Sequence, residues 1–158
     1  FFRQAMFAEF ELAIHQRVEG GDALTGARLS EMYLELLRRF HGHEQGVMTI
    51  DEQYAAEWAW IPHFYFGYYV FQYATSVSAS SLLSARVLNG EEGAAEAYLD
   101  LLRAGGSAFS YDLLRDAGVD LATAAPYEAI VARMNMIMDE MEALIAARPA
   151  EVAAPAAE

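Results

Sequence analysis

The stretch FRQAMFAEFELAIHQRV, Phe2 to Val18, shows the clearest periodicity in the chain and indicates an α-helix. Its large apolar residues recur every four positions, at Phe2, Met6, Phe10 and Ile14. Side chains at this spacing lie on one face of an α-helix, so this face is expected to pack against other elements. Gly20 and Gly21 follow directly and are typical of a helix end.

A helical pattern continues through most of the chain. A second helix, capped by Thr25, is predicted to end at Phe40, and a third runs from Asp51 to the break at Pro62. One long helix is predicted through the following aromatic stretch to about Leu88, and others over residues 91–104, 111–117 and 126–147. Because strand-like alternation is nearly absent, the sequence predicts an all-α multi-helix bundle over residues 1–148. Residues 149–158, rich in alanine and proline, are expected to form a flexible tail.

Composition argues against several classes of function. The 158 residues suffice for one domain with a real core, and 23 acidic against 10 basic residues give a net charge of -13. Such a charge repels phosphate backbones, so no nucleic-acid partner is expected. The chain has no cysteine, which leaves no disulfide and no thiolate metal site. These features fit a cytoplasmic protein.

One uncharged run, Trp58 to Ala85, is long enough to span a membrane. It contains Pro62, His63, Gln72, four tyrosines and five serines, which make it too polar for a good span, so no membrane partner is expected. The chain opens within an amphipathic helical pattern and without a signal-peptide pattern, so we expect that part of a larger protein precedes it.

Two histidine patterns were considered as metal sites. His43 and Glu44 begin an H-E-x-x-H pattern, but its fifth position is Val47, and the glycines at 42 and 46 favour an exposed loop. Glu11 and His15 lie one helical turn apart and are better explained as a surface pair than as metal ligands. No metal ligand is therefore predicted in this chain.

The stretch IPHFYFGYYVFQYATS, Ile61 to Ser76, combines seven aromatic rings with one histidine. Tyr65, Tyr69 and Tyr73 are four residues apart, so a continuous helix would project their hydroxyls along one side, with His63 just beyond its end. A buried phenol needs a hydrogen-bond partner, whereas phenols beside a cleft can donate to a developing oxyanion. The residues alone leave open both a functional wall and ordinary packing.

Three segments resemble, in the same order, the C-terminal part of oligoendopeptidase F, a zinc metallopeptidase related to thimet oligopeptidase and neurolysin. They are FRQAMFAEFELAIH, YAAEWAWIPHFYFGYYVFQYAT and GGSAFSYDLLRDAGVDL, and the resemblance runs from Phe2 to about Leu144. It implies a helical metalloendopeptidase that hydrolyses short peptide substrates with a zinc cofactor. In that family the H-E-x-x-H motif and the third zinc ligand precede these segments. The resemblance thus implies the C-terminal helical part of a catalytic domain, inactive without the upstream half of the polypeptide.

The resemblance also implies roles for the aromatic stretch. His63 and Tyr73 match catalytic residues that hold the peptide and stabilise the oxyanion, while Tyr65 and Tyr69 fall in the segment that binds substrate. The residues expected to supply packing are Phe64, Phe66, Tyr68 and Phe71, with Gly67 allowing the backbone to adjust. The alternatives are a stand-alone peptide-binding module without catalysis and an assembly domain whose aromatic face is an interface.

Overall fold

The computed structural model describes residues 1–148, and every regular element in that range is helical. This confirms the all-α prediction; the predicted tail of residues 149–158 lies outside the described residues. The α-helices are α1 (Phe2–Glu19), α2 (Gly26–Phe40), α3 (Phe71–Leu88), α4 (Ala94–Ala104), α5 (Ser110–Asp116) and α6 (Ala125–Ala146). Two 3-10 helices, Glu52–Trp60 and Pro62–Tyr65, separate α2 from α3. The chain divides into two compact units, unit 1 (Phe1–Val77) and unit 2 (from Ser78).

Unit 1 has an aromatic core between α1 and α2. The Phe10 ring lies 5.2 Å from the Tyr33 ring in an edge-on arrangement and 5.2 Å from the Phe64 ring. Such edge-on and tilted ring pairs stabilise a core beyond the apolar area that they bury. The buried apolar residues of this core are Met6, Phe7, Phe10, Met32, Tyr33, Leu36, Leu37, Ile50, Ile61 and Val70. The predicted stripe of α1 is confirmed at Met6 and Phe10.

Hydrogen bonds fasten the first 3-10 helix to α1 and α2. The Tyr33 hydroxyl donates to Glu57 Oε2 at 2.6 Å, and Arg3 forms an ion pair with the same carboxylate. Trp58 Nε1 donates to Ser30 Oγ at 3.0 Å. Burial and the bond to Glu57 raise the pKa of Tyr33 well above its usual range. These bonds fix the segment that leads into Pro62.

The predicted starts and ends of several helices agree with the structure. The Thr25 side chain accepts the Arg28 N–H at 3.2 Å and caps α2, as predicted. The helix predicted from Asp51 to Pro62 is present, but it is a 3-10 helix that spans Glu52–Trp60. The helix predicted over residues 91–104 begins later, at Ala94.

Unit 2 has a smaller core, formed by Ala79, Leu83, Ala117 and Val119 with four partly buried leucines around them. Arg86 donates to the carbonyls of Ala117 and Gly118, both at 3.1 Å. Several large apolar residues of α6 are exposed in the described chain, including Met141 and Leu144. None of the helices within residues 1–148 combines the length and apolar character needed for a membrane span.

Candidate active site

The aromatic stretch folds differently from the continuous helix that the sequence predicts, so that prediction is wrong. Pro62–Tyr65 is a 3-10 helix, and α3 begins only at Phe71. Between them, Gly67 has φ +62° and Tyr68 has φ +52°. Two consecutive residues in the left-handed region cannot continue a right-handed helix, so Tyr65, Tyr69 and Tyr73 do not lie on one helix face.

The break nevertheless brings three predicted site residues together, which we call the His–Tyr cluster: His63, Tyr69 and Tyr73. The rings of His63 and Tyr69 are stacked with centroids 5.8 Å apart, and the Tyr73 ring lies edge-on to His63 at 5.2 Å. Tyr69 and Tyr73 are also edge-on to each other at 5.7 Å. All three members therefore contact one another.

The polar atoms of the His–Tyr cluster divide into one buried group and two accessible ones. His63 Nδ1 is buried and forms no hydrogen bond within the described residues, which is unusual for a buried polar atom. The side chains of Tyr69 and Tyr73 are 39% and 42% exposed, so a molecule bound at the surface can reach them. A hydrogen bond with the Tyr69 hydroxyl raises the pKa of Tyr73, and this phenol therefore stays protonated well above neutral pH.

Tyr65 lies outside the His–Tyr cluster. Its hydroxyl donates to the Ala59 carbonyl at 3.2 Å, and its side chain is 69% exposed. The predicted alignment of Tyr65 with Tyr69 and Tyr73 required a continuous helix. Because the helix is interrupted, that alignment is not present.

A buried carboxylate supports the break and was missed by the sequence analysis. Glu11 was predicted to form a surface pair with His15, but it is only 1% exposed. The Tyr68 backbone N–H donates to Glu11 Oε1 at 2.7 Å, and the His15 ring lies 4.4 Å from the Tyr68 ring. The signal was present in the sequence, since Glu11 follows the core residue Phe7 by four positions and so shares its face of α1.

Comparison with known proteins identifies the family of this chain. The sequence pattern of peptidase family M3 matches residues 1–133. The chain belongs to peptidase family M3. Over 144 residues it is 42% identical to oligopeptidase PepF of Bacillus subtilis (strain 168), covering 91% of this chain and 21% of that protein. It is 40% identical over 147 residues to the group B oligopeptidase PepB of Streptococcus agalactiae serotype III (strain NEM316), covering 92% of this chain and 24% of that protein.

The fold agrees with two solved structures. The crystal structure of oligoendopeptidase-F from Enterococcus faecium superposes with a TM-score of 0.84 and 39% identity, covering 93% of this chain and 28% of that one. A peptidase structure from Chlamydophila abortus gives a TM-score of 0.82 and 38% identity, covering 91% of this chain and 24% of that one. This chain therefore spans between 21% and 28% of the length of these relatives.

Members of peptidase family M3 are in general zinc metallopeptidases, but the residues described here do not fit a zinc site. No group of three histidine or acidic residues within 1–148 is arranged to hold a metal ion. The Nδ1 atoms of His15 and His41 lie within hydrogen-bond distance of main-chain carbonyls, and His43 Nδ1 accepts the Ile50 N–H at 3.0 Å. The H-E-x-x-H-like segment forms turns, in agreement with the loop prediction.

The packing predictions for this family M3 segment hold in part. Phe64 packs in the core of unit 1 against Phe7 and Phe10, as predicted. Phe66 is 65% exposed and Phe71 is 45% exposed, so neither packs in the core of the described chain. Packing of these two rings against other parts of the polypeptide stays a prediction.

Proposed function

We propose that this chain supplies one wall of the active site of a zinc metalloendopeptidase that hydrolyses short oligopeptides. In this proposal His63 and Tyr73 are the catalytic residues on the wall, and Tyr69 contacts the bound peptide. The observation that carries the proposal is the His–Tyr cluster itself, in which accessible phenols surround a histidine with an unpaired buried nitrogen. Membership of family M3 and the oligopeptidase names of the relatives support it.

The chemistry follows from the charge that develops during peptide hydrolysis. When water attacks the scissile carbonyl, negative charge accumulates on the carbonyl oxygen, and a fixed hydrogen-bond donor stabilises it. The Tyr73 hydroxyl suits this role because it is accessible at the surface and a phenol is a hydrogen-bond donor that keeps its proton at neutral pH. The edge-on packing of Tyr73 against His63 and Tyr69 holds the donor in place before the reaction, so little reorganisation is required.

The zinc ligands belong, in this proposal, to a part of the polypeptide outside this chain. The described residues offer no ligand set for the metal. The proposal further implies that the chain by itself is inactive and that its partner is the rest of the same polypeptide. The stand-alone binding module and the assembly domain gain no support from the family relationship.

Substitution of Tyr73 by phenylalanine in the complete polypeptide tests the catalytic role. The change removes only the hydroxyl, so kcat on a quenched-fluorescent peptide is expected to fall about 10²- to 10³-fold, with a smaller change in KM. Tyr98→Phe is the matched control, because Tyr98 is exposed to a similar extent (40%) and lies on α4, outside the proposed wall. Near-normal kcat in a folded Tyr73→Phe protein contradicts the proposed role.

A further inference from the structure

We propose that Glu11 is a positioning residue that holds the His–Tyr cluster in shape by fixing the backbone at Gly67 and Tyr68. The inference rests on the proposed function for its catalytic consequence, but its structural part can be tested separately. Glu11 does not touch the reacting groups. It acts through the main chain that leads to Tyr69.

The burial of Glu11 makes the hydrogen bond of its carboxylate decisive. The residue is 1% exposed on the face of α1 that packs into the core, where a carboxylate is unfavourable unless it is hydrogen-bonded. Its Oε1 accepts the Tyr68 N–H at 2.7 Å, across 57 residues of sequence. A bond from a backbone N–H to a carboxylate is a charge-assisted hydrogen bond and is stronger than one between neutral groups.

The backbone that donates this hydrogen bond is strained. Tyr68 has φ +52° and is the only non-glycine residue with a positive φ in the part of the chain that the structure describes. The left-handed region is unfavourable for a residue with a Cβ, and it persists where surrounding contacts hold it. The Glu11 carboxylate holds the N–H of Tyr68, and the His15 ring, one turn further along α1, packs against its side chain at 4.4 Å.

The position of Tyr69 depends on this turn. Tyr69 directly follows Tyr68, and its ring stacks on His63 at 5.8 Å with an angle of 14° between the ring planes. If Tyr68 relaxes to a negative φ, the chain enters α3 in another direction and the stacked arrangement is lost. A misplacement of about 1 Å at a catalytic group can cost about 10²-fold in rate.

The test compares Glu11→Leu and Glu11→Gln in the complete polypeptide. Leucine fills a similar volume without an acceptor, so kcat is expected to fall about 10²-fold and the ring C–H resonances of His63 to shift as the Tyr69 ring moves. Glutamine retains an acceptor oxygen and should recover most of the rate and of the His63 resonance positions. The control is Glu9→Gln, because Glu9 is an exposed residue of α1 paired with Arg39, and both readouts should match the unmodified protein.

A folded Glu11→Leu protein with unchanged kcat and unchanged His63 resonances overturns the inference. If the resonances shift but the unmodified protein does not cleave peptides, the proposed function fails and the positioning role stands. If Glu11→Leu does not fold, hydrogen exchange in the unmodified protein decides. The Tyr68 amide should exchange more slowly than those of Gly67 and Tyr69, and equally fast exchange overturns the inference.

Discussion

The two units are similar in length but bury different kinds of side chain. The core of unit 1 contains large residues such as Phe7, Phe10 and Tyr33, whereas the core of unit 2 is built from Ala79, Leu83, Ala117 and Val119. Unit 1 also contains the bonds of Glu57, Trp58 and Glu11 to distant parts of its sequence. The His–Tyr cluster belongs to unit 1, whose core has the larger buried side chains and which contains these long-range hydrogen bonds. A site that needs fixed donors is better served by such an interior than by a core of small residues.

The largest expected effect is the loss of a core ring from unit 1. Phe10 is fully buried between Tyr33 and Phe64, so Phe10→Ala should lower the free energy of unfolding by about 3–5 kcal/mol. In unit 2, Leu83→Ala removes fewer atoms from a smaller core, and a loss of about 2–3 kcal/mol is expected. Urea denaturation of both variants measures the difference, and equal losses would remove the contrast between the two cores.

A smaller loss of stability is expected from substitution of Gly118 in unit 2, where the Arg86 guanidinium lies against the backbone. A Cβ at Gly118 would lie 2.1 Å from Arg86 Nη1, and the backbone there has φ +85°. Gly118→Ala should therefore combine left-handed strain with the loss of guanidinium bonds, at about 2–3 kcal/mol. Gly93→Ala is the control, since φ is +77° and no atom lies within 4 Å of the added Cβ. Similar melting temperatures for both variants would mean that the Arg86 bonds contribute nothing measurable.

The smallest of these effects concerns the Tyr33 hydroxyl in unit 1. Tyr33→Phe removes the 2.6 Å bond to Glu57 while Arg3 stays paired with that carboxylate, so about 1–2 kcal/mol should be lost at neutral pH. Burial and Glu57 raise the pKa of Tyr33, so the folded chain keeps this proton above pH 10, where an unfolded tyrosine ionises. The free energy of unfolding of the unmodified protein therefore falls as the pH rises above about 10. Its difference from the free energy of unfolding of Tyr33→Phe should become smaller over the same range. Parallel stability curves between pH 7 and 11 would contradict the assignment.

Much of the helical order could be predicted from local signals. Three such signals are the period of four in α1, the Thr25 cap of α2 and the glycines after α1. Each involves residues close together in the chain, so it can be recognised directly in the sequence. The break before α3 was not predicted, because Gly67 alone is compatible with a helix and the contact that stabilises the turn comes from Glu11, 57 residues away from Tyr68. Long-range contacts of this kind leave no local pattern.

The candidate site could be predicted only in part, because its geometry depends on the same turn. Tyr69 and Tyr73 were singled out for a helical spacing that the structure interrupts, and the roles of His63 and Tyr73 came from the family resemblance. The rings of these three residues nevertheless meet through the turn. Tyr65 was chosen from the same spacing and lies against Ala59. The catalytic and substrate-binding roles of these residues rest on family resemblance and geometry, and they stay predictions until the variants are measured.

The positive φ of Tyr68 has a consequence for how this position can change during evolution. A β-branched residue such as valine or isoleucine is excluded there by steric clash, whereas asparagine and glycine enter the left-handed region easily. A substitution to either would relieve the backbone strain at position 68 but would keep the main-chain N–H that donates to Glu11. Position 68 can therefore drift to glycine or asparagine without a change at position 11, whereas loss of the glutamate would leave that main-chain donor without its acceptor.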